Sequence, residues 1–119
     1  MALTISELEA LALKTRQQIF KMITTAKSGH IGGDFSKCEI LVALYFGGIL
    51  KYDAKNPNWL ERDYFILSTG HTSEALYSIL AQVGFFPELL LDFYGQNGAF
   101  LGIHTSTKVP GIEYSAGSL

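Results

Sequence analysis

Three histidines are the side chains best suited to chemistry in this sequence. His30, His71 and His104 each lie in a glycine-containing turn. The turns are Ser28–Gly33, Ser68–His71 and Gly102–His104. Glycine lets a backbone approach a ligand closely, and a turn before a helix directs free N–H groups and the positive end of the helix dipole toward an anion. The first two turns fit this description and predict an anion site, for which a diphosphate is well suited.

Other kinds of site fit the histidines less well. A histidine in a turn is also an ordinary surface or hydrogen-bonded residue, and that alternative stays open for each turn taken alone. A zinc site is disfavoured, because no two histidines are four residues apart on a helix and Cys38 is the only cysteine. The sequence contains no Walker phosphate loop, Rossmann glycine fingerprint or GxSxG elbow, so the commonest nucleotide sites and the α/β-hydrolase site are not expected.

Two capping boxes predict the helices that precede and follow the first turn. Thr4 with Glu7 begins a long amphipathic helix, and Ser36 with Glu39 precedes a second helix. The second helix, over residues 40–50, is apolar almost all round and is therefore expected to be the central element of the fold.

A strand is predicted immediately before the second turn. Residues 64–67 are aromatic or favour β-structure, and they lead into a third helix over residues 73–83 that ends before Gly84. A short fourth helix over residues 87–93 and a short strand over residues 112–114 complete the prediction. A strand followed by a helix indicates an α/β fold, and it places the second turn at the carboxyl end of a sheet, where such folds bind ligands.

Composition predicts one packed domain, or part of one. The chain has 119 residues, of which 48% are hydrophobic and 17% charged, and so high an apolar share leaves faces that are expected to pack on a partner. The net charge of −2, without a basic run, argues against nucleic acid and against an anionic membrane surface.

The expected location is the cytoplasm. Cys38 cannot form an internal disulfide and lies beside an apolar stretch, which predicts a buried thiol. The N-terminus carries Glu7 and Glu9 where an export signal has a basic start and an apolar run. The longest apolar run, over residues 40–50, is shorter than the roughly 18 residues that indicate a membrane span.

Several segments, in their order along the chain, resemble the beginning of transketolases, which are thiamine-diphosphate enzymes of sugar metabolism. The resemblance extends over nearly the whole chain. The matching segments are Ser28–Gly33, Leu44–Phe46, Lys55–Trp59, Arg62–Asp63, Leu67–His71, Ala75–Tyr77, Gly84–Pro87, Pro110–Glu113 and Gly117–Leu119. The resemblance implies a three-layer α/β/α thiamine-diphosphate-binding fold, of which residues 1–119 form the N-terminal part, incomplete in this chain.

The resemblance also implies a role for each histidine. His30 and His104 are expected to be catalytic and to face the sugar donor and the reactive end of the cofactor, while His71, Gly117 and Leu119 are expected to bind thiamine diphosphate. Imidazoles supply hydrogen bonds and proton transfers to oxygens whose charge changes during such a reaction. The implied reaction is transfer of a two-carbon ketol unit between sugar phosphates.

The chain departs from the family pattern in two ways. Ile103 and Thr105 flank the third histidine where the family usually has Gly-His-Pro, and Thr69 replaces the more usual Lys or Asn. The Gly-Asp-Gly motif and the later asparagine that hold a divalent metal, Mg or Ca, in the family are absent from this sequence. The glutamate that activates the cofactor belongs, in the family, to a separate pyrimidine-binding domain. We therefore expect a homo- or hetero-oligomer that includes such a domain, and no activity from the chain alone.

Two alternatives remain open at this stage. The chain also resembles the start of a 1-deoxyxylulose-5-phosphate synthase, which uses the same cofactor. A non-catalytic assembly or interaction fragment of the same fold is the other alternative, because the metal motif is missing.

Overall fold

The computed structural model describes residues 3–115, which fold into α-helices, two short 3₁₀ helices and connecting loops. Gly117 and Leu119 lie outside the described residues. The helices are α1, Ile5–Ala26; α2, Ile31–Ser36; α3, Cys38–Phe46; and α4, Ser73–Val83. The 3₁₀ helices are Gly70–Thr72, directly before α4, and Glu88–Phe93.

The first helix begins at the predicted capping box. The Thr4 hydroxyl accepts a hydrogen bond from the Glu7 N–H at 3.1 Å, and the Glu7 carboxylate accepts one from the Thr4 N–H at 2.9 Å. Helix α1 buries Ile19 and Met22 along its inner face and ends at Ala26, and the next residue, Lys27, has a left-handed φ of 58°. This reversal turns the chain into the first glycine turn.

The second predicted capping box is wrong. Ser36 is the last residue of α2, and its hydroxyl donates a hydrogen bond backward to the Gly33 carbonyl at 2.9 Å. Glu39 instead pairs with Arg16 of α1 at 2.6 Å. Lys37 alone separates α2 from α3 and has a helical φ/ψ of −98°/−7°, so α3 continues from α2 without a side-chain cap.

The central element is α4 rather than α3. Nine of the eleven α4 residues are buried, whereas Ile40 of α3 is 61% exposed. Helix α4 packs against α1, α2, α3 and the 3₁₀ helix Glu88–Phe93. Both of its predicted ends are confirmed, since it begins at Ser73 and ends before Gly84, whose φ of 99° is a conformation that glycine adopts readily.

The two predicted strands are not present among residues 3–115. Residues 64–67 alternate as a strand does, with Tyr64 and Ile66 more than half exposed and Leu67 only 6% exposed. A strand is stabilised by a ladder to a neighbour, however, and no other segment of the described chain supplies one for these residues. The predicted α/β layering is therefore not observed in this part of the chain.

The ends of two other predicted elements also differ. The fourth helix is a 3₁₀ helix that starts one residue later than expected, because Pro87 has an extended ψ of 139°. Residues 112–114 form a loop, in which Glu113 binds Arg62 through two hydrogen bonds of 2.7 and 2.8 Å. This pair ties the loop to a segment 51 residues earlier.

None of the helices within residues 3–115 combines the length and the apolar character that crossing a membrane requires.

Candidate functional site

The three histidine turns meet at the N-terminus of α4. The second turn leads directly into α4 through the 3₁₀ helix Gly70–Thr72. The first turn is joined to α4 by Asp34, whose carboxylate accepts a hydrogen bond from the Ala75 N–H at 2.9 Å. The third turn is held by hydroxyl groups of Ser73 and Tyr77, both on α4. Helix α4 is therefore the common support of the site.

His30 and His71 lie side by side. Their ring centroids are 4.7 Å apart, with an interplanar angle of 72°. His30 precedes the first residue of α2 and is exposed, whereas His71 is half-buried. The Nδ1 atom of His71 is buried and has no hydrogen-bond partner within residues 3–115. A buried nitrogen without a hydrogen-bond partner destabilises the fold unless a bound ligand supplies that partner, so His71 is suited to binding a ligand.

Two glycines of the first turn allow it to pack tightly against the rest of the chain. A Cβ at Gly29 would lie 2.5 Å from Ile23 Cγ1 and 2.7 Å from Glu74 Oε2. A Cβ at Gly33 would lie 2.7 Å from Thr72 Cγ2. The sequence predicted that these glycines bring the backbone close to a ligand, but in this structure the groups they approach belong to α1, to α4 and to the 3₁₀ helix Gly70–Thr72.

His104 joins the cluster through its backbone. The Tyr77 hydroxyl donates hydrogen bonds to the Gly102 carbonyl at 2.7 Å and to the His104 carbonyl at 3.1 Å, and Ser73 donates to the Ile103 carbonyl. The His104 side chain is exposed. The structure thus brings the rings of His30 and His71 together and fixes the main chain of His104 nearby.

A buried carboxyl pair lies beneath the histidines and was not expected from the sequence. Asp34 and Glu74 are both fully buried, and the Asp34 carboxylate accepts a hydrogen bond from the N–H of Ala75, the residue that follows Glu74. Burial, followed by the neighbouring Glu74, raises the pKa of Asp34 to about 9. The only signal in the sequence is one acidic residue shortly after each of the first two glycine turns.

The remaining predicted residues stand as follows. Gly117 and Leu119, expected to bind the cofactor, lie outside the described residues. Cys38 is buried, as predicted, and burial raises the pKa of its thiol to about 11. Within residues 3–115, no three His, Cys, Asp or Glu side chains are grouped so that they could hold a metal ion.

A protein-family model described as the transketolase thiamine diphosphate binding domain matches residues 8–119. This match confirms the resemblance predicted from the sequence.

Curated relatives include components of larger enzymes. An apulose-4-phosphate transketolase subunit from Phocaeicola vulgatus is 39% identical over 115 residues, covering 97% of this chain and 41% of that protein. The 6-deoxy-6-sulfo-D-fructose transketolase subunit SqwG of Clostridium sp. (strain MSTE9) is 47% identical over 92 residues, covering 76% of this chain and 33% of that protein. The chain therefore spans less than half the length of these relatives.

Solved transketolases have the same fold in the matching region. The transketolase from Campylobacter jejuni superposes with a TM-score of 0.91 at 33% identity, covering 97% of this chain and 18% of that one. The transketolase from Leishmania mexicana superposes with a TM-score of 0.89 at 26% identity, covering 100% of this chain and 18% of that one. The helices and turns described above thus form the thiamine-diphosphate-binding fold of these enzymes, over a fraction of their length.

Proposed function

Because this chain belongs to the family of transketolase thiamine-diphosphate-binding domains, we propose that it forms part of an enzyme that transfers a two-carbon ketol unit between sugar phosphates. The observation that carries the proposal is the pairing of His30 with His71 at the N-terminus of α4. Both residues lie in segments of the chain that resemble the family.

The residues of the cluster suit thiamine diphosphate. His71 offers a buried, unpartnered Nδ1 that a bound cofactor would complete. When bound, thiamine diphosphate supplies the carbanion chemistry of ketol transfer. We assign Gly117 and Leu119 to the same cofactor on the resemblance alone. The divalent metal that accompanies it, Mg or Ca, is assigned to residues beyond this chain.

We assign proton transfer and hydrogen bonding at the sugar oxygens to His30 and His104. The exposed His30 ring lies against His71, so a sugar donor that reaches the cofactor also reaches His30. The His104 main chain is anchored by Tyr77 while its side chain is exposed and free to meet a substrate. Histidine donates, accepts and transfers protons near neutral pH, which suits both positions.

The finer architecture and the partners are also proposals. We assign residues 1–119 to the N-terminal part of a three-layer α/β/α domain. In the complete domain, residues 64–67 would pair as a strand with a neighbour that the described residues do not supply, because their side chains already alternate between exposed and buried. We further propose that the chain works in the cytoplasm in a homo- or hetero-oligomer with a pyrimidine-binding domain or subunit. The exposed apolar side chains of Ile5, Leu13 and Ile40 support such an assembly.

The test uses the chain assembled with a pyrimidine-binding partner, thiamine diphosphate and magnesium. We expect His30→Ala and His71→Ala each to lower the ketol-transfer rate by about 10²- to 10⁴-fold, the usual range for a lost acid–base or hydrogen-bonding group. Because neither ring belongs to the hydrophobic core, the melting temperature should stay close to that of the wild type.

Lys55→Ala is the matched control, since Lys55 is exposed in a loop away from the histidine turns, and we expect it to leave both quantities unchanged. Wild-type rates in both histidine variants would refute the site assignment. An assembled wild type that binds the cofactor but transfers no ketol unit would instead favour the non-catalytic alternative.

A further inference from the structure

We propose that Asp34 and Glu74 share a single proton and act as positioning residues, holding the His30 turn against the His71 turn. Their relevance to catalysis rests on the proposed function, whereas the shared proton and the coupling of the two turns are properties of the fold. Neither carboxyl group reaches the surface, so both act through the histidines rather than on a substrate.

The hydrogen bonds of the four carboxyl oxygens indicate one shared proton. Asp34 Oδ1 accepts the Ala75 N–H, and Glu74 Oε2 accepts the Tyr94 hydroxyl. The other two oxygens, Asp34 Oδ2 and Glu74 Oε1, are buried and have no donor among the described residues. We place the shared proton between these two oxygens, where it would give each of them a partner. It also leaves one negative charge in the pair, whereas two carboxylates in contact would repel each other strongly in a buried site.

The pair joins the two helix ends that carry the histidines. Asp34 lies in the first turn of α2, and its N–H donates to the His30 carbonyl at 3.0 Å. Glu74 lies in the first turn of α4, which follows the 3₁₀ helix that contains His71. The Glu74 carboxyl also faces the Gly29 backbone, one residue before His30. Separating the two carboxyl groups would therefore move His30 relative to His71.

The pKa of Asp34 is lower than those of the cysteine and the tyrosines around the pair. Among the described residues, the charged and titratable groups that act on the pair include Lys37, Cys38, Tyr77 and Tyr94, and His30 and His71 lie in the two turns that the pair joins. Burial raises the pKa of Cys38 to about 11 and raises the pKa of both tyrosines. The positive charge of Lys37 lowers the pKa of Asp34 by less than burial raises it, so its pKa remains at about 9.

This raised pKa gives a direction to the pH dependence of folding. In the unfolded chain Asp34 loses its proton at its ordinary pKa near 4, whereas in the folded chain it keeps the proton up to about pH 9. The folded state thus binds one more proton in this window, and its stability falls as the pH rises. The contribution of the pair to the folding equilibrium constant decreases by up to about tenfold per pH unit.

The experiment compares four forms of the full chain. Glu74→Gln keeps one donor for Asp34 and one acceptor for Tyr94 but removes the shared proton. Glu74→Leu removes both hydrogen bonds at similar volume. Ser78→Ala is the matched control, because Ser78 is equally buried on α4 but bonds to Gln18 of α1 instead of the histidine turns.

Two measurements on these chains are independent of activity. We expect the stability from urea unfolding to fall between pH 6 and about pH 9 in the wild type and in Ser78→Ala. In Glu74→Gln we expect this fall to end at a lower pH, because burial still raises the pKa of Asp34 but Glu74 no longer does. We expect the nuclear Overhauser contact between the His30 and His71 rings to persist in the wild type, Ser78→Ala and Glu74→Gln, and to be lost in Glu74→Leu. A wild-type pH dependence in Glu74→Gln, or a wild-type ring contact in Glu74→Leu, would overturn the proposal.

Activity in the assembled enzyme completes the test. We expect Glu74→Leu to lower kcat by about 10²-fold, as a displacement of about 1 Å does in other active sites, and Glu74→Gln to restore it to within a few-fold of the wild type. Equal kcat losses in Glu74→Leu and Ser78→Ala would overturn the positioning role. If the pH dependence of stability and the contact between the His30 and His71 rings both agree with the predictions above, but no form of the protein transfers ketol units, the proposed function is refuted. The coupling of the two turns is then still supported.

Discussion

Gly29→Ala is expected to destabilise the fold severely, because Gly29 lies where the first histidine turn touches both α1 and α4. Its φ is 147°, a region that residues with a side chain rarely adopt. An added methyl group would lie 2.5 Å from Ile23 Cγ1 and 2.7 Å from Glu74 Oε2, well inside van der Waals contact. The variant therefore combines backbone strain with overpacking, and the overpacking falls on the carboxyl pair.

The size of the effect follows from these two contributions. Backbone strain of this kind costs about 1–3 kcal/mol. Overpacking in a well-packed region costs about 1–3 kcal/mol more. We therefore expect the free energy of unfolding to fall by about 2–6 kcal/mol, a large part of the roughly 5–15 kcal/mol that a typical domain has.

Gly32→Ala is the matched control, since it places the same methyl group three residues away in α2. A Cβ at Gly32 has no heavy atom within 4 Å, and its backbone is helical. Alanine is favoured over glycine in a helix by about 0.5–1 kcal/mol, so this variant should be as stable as the wild type or slightly more stable.

Urea unfolding gives the free energy of unfolding of both variants. The transition is monitored by far-ultraviolet circular dichroism and by the fluorescence of Trp59, the single tryptophan. Coincident transitions from the two signals establish the two-state behaviour that the free energies require. A loss below about 0.5 kcal/mol in Gly29→Ala, the size of an ordinary surface substitution, would refute the tight packing derived for this turn.

Two further predictions concern α4 and the core. Tyr77→Phe removes the hydroxyl that donates to the Gly102 and His104 carbonyls, so we expect it to lower the free energy of unfolding by about 1–3 kcal/mol. We also expect the backbone amides of residues 102–105 to exchange hydrogen faster than in the wild type. Unchanged exchange would contradict the anchoring role of Tyr77. Because burial raises the pKa of the Cys38 thiol to about 11, we expect Cys38 not to react with an aromatic disulfide reagent at pH 8 until urea unfolds the chain. Rapid labelling of Cys38 in the folded chain would contradict the burial of this thiol.

Local signals in the sequence were sufficient for several elements. The capping box of Thr4 and Glu7 and the left-handed Gly84 mark helix ends through contacts within a few residues, so they are readable without the fold. The order of several matching segments along the chain, among them two glycine–histidine turns, also sufficed to identify the family, which the family match over residues 8–119 confirms. The Ser36 and Glu39 box misled, because the same residues satisfy the local pattern while their side chains bond to Gly33 and Arg16.

Only the tertiary structure decided how the site is built. The sequence predicted that three histidines lie in turns, but the 4.7 Å approach of His30 to His71 depends on how α2 packs against α4. The contact that joins these helices, from Asp34 to the Ala75 N–H, spans 41 residues and leaves no local pattern. The prediction of a strand over residues 64–67 was wrong for the same reason. A strand needs hydrogen bonds to a neighbouring strand, and the alternation of residues in one segment does not show whether such a neighbour exists. The sequence alone thus determined helix ends and family, whereas burial of the carboxyl pair and the spacing of the histidines required contacts between distant residues.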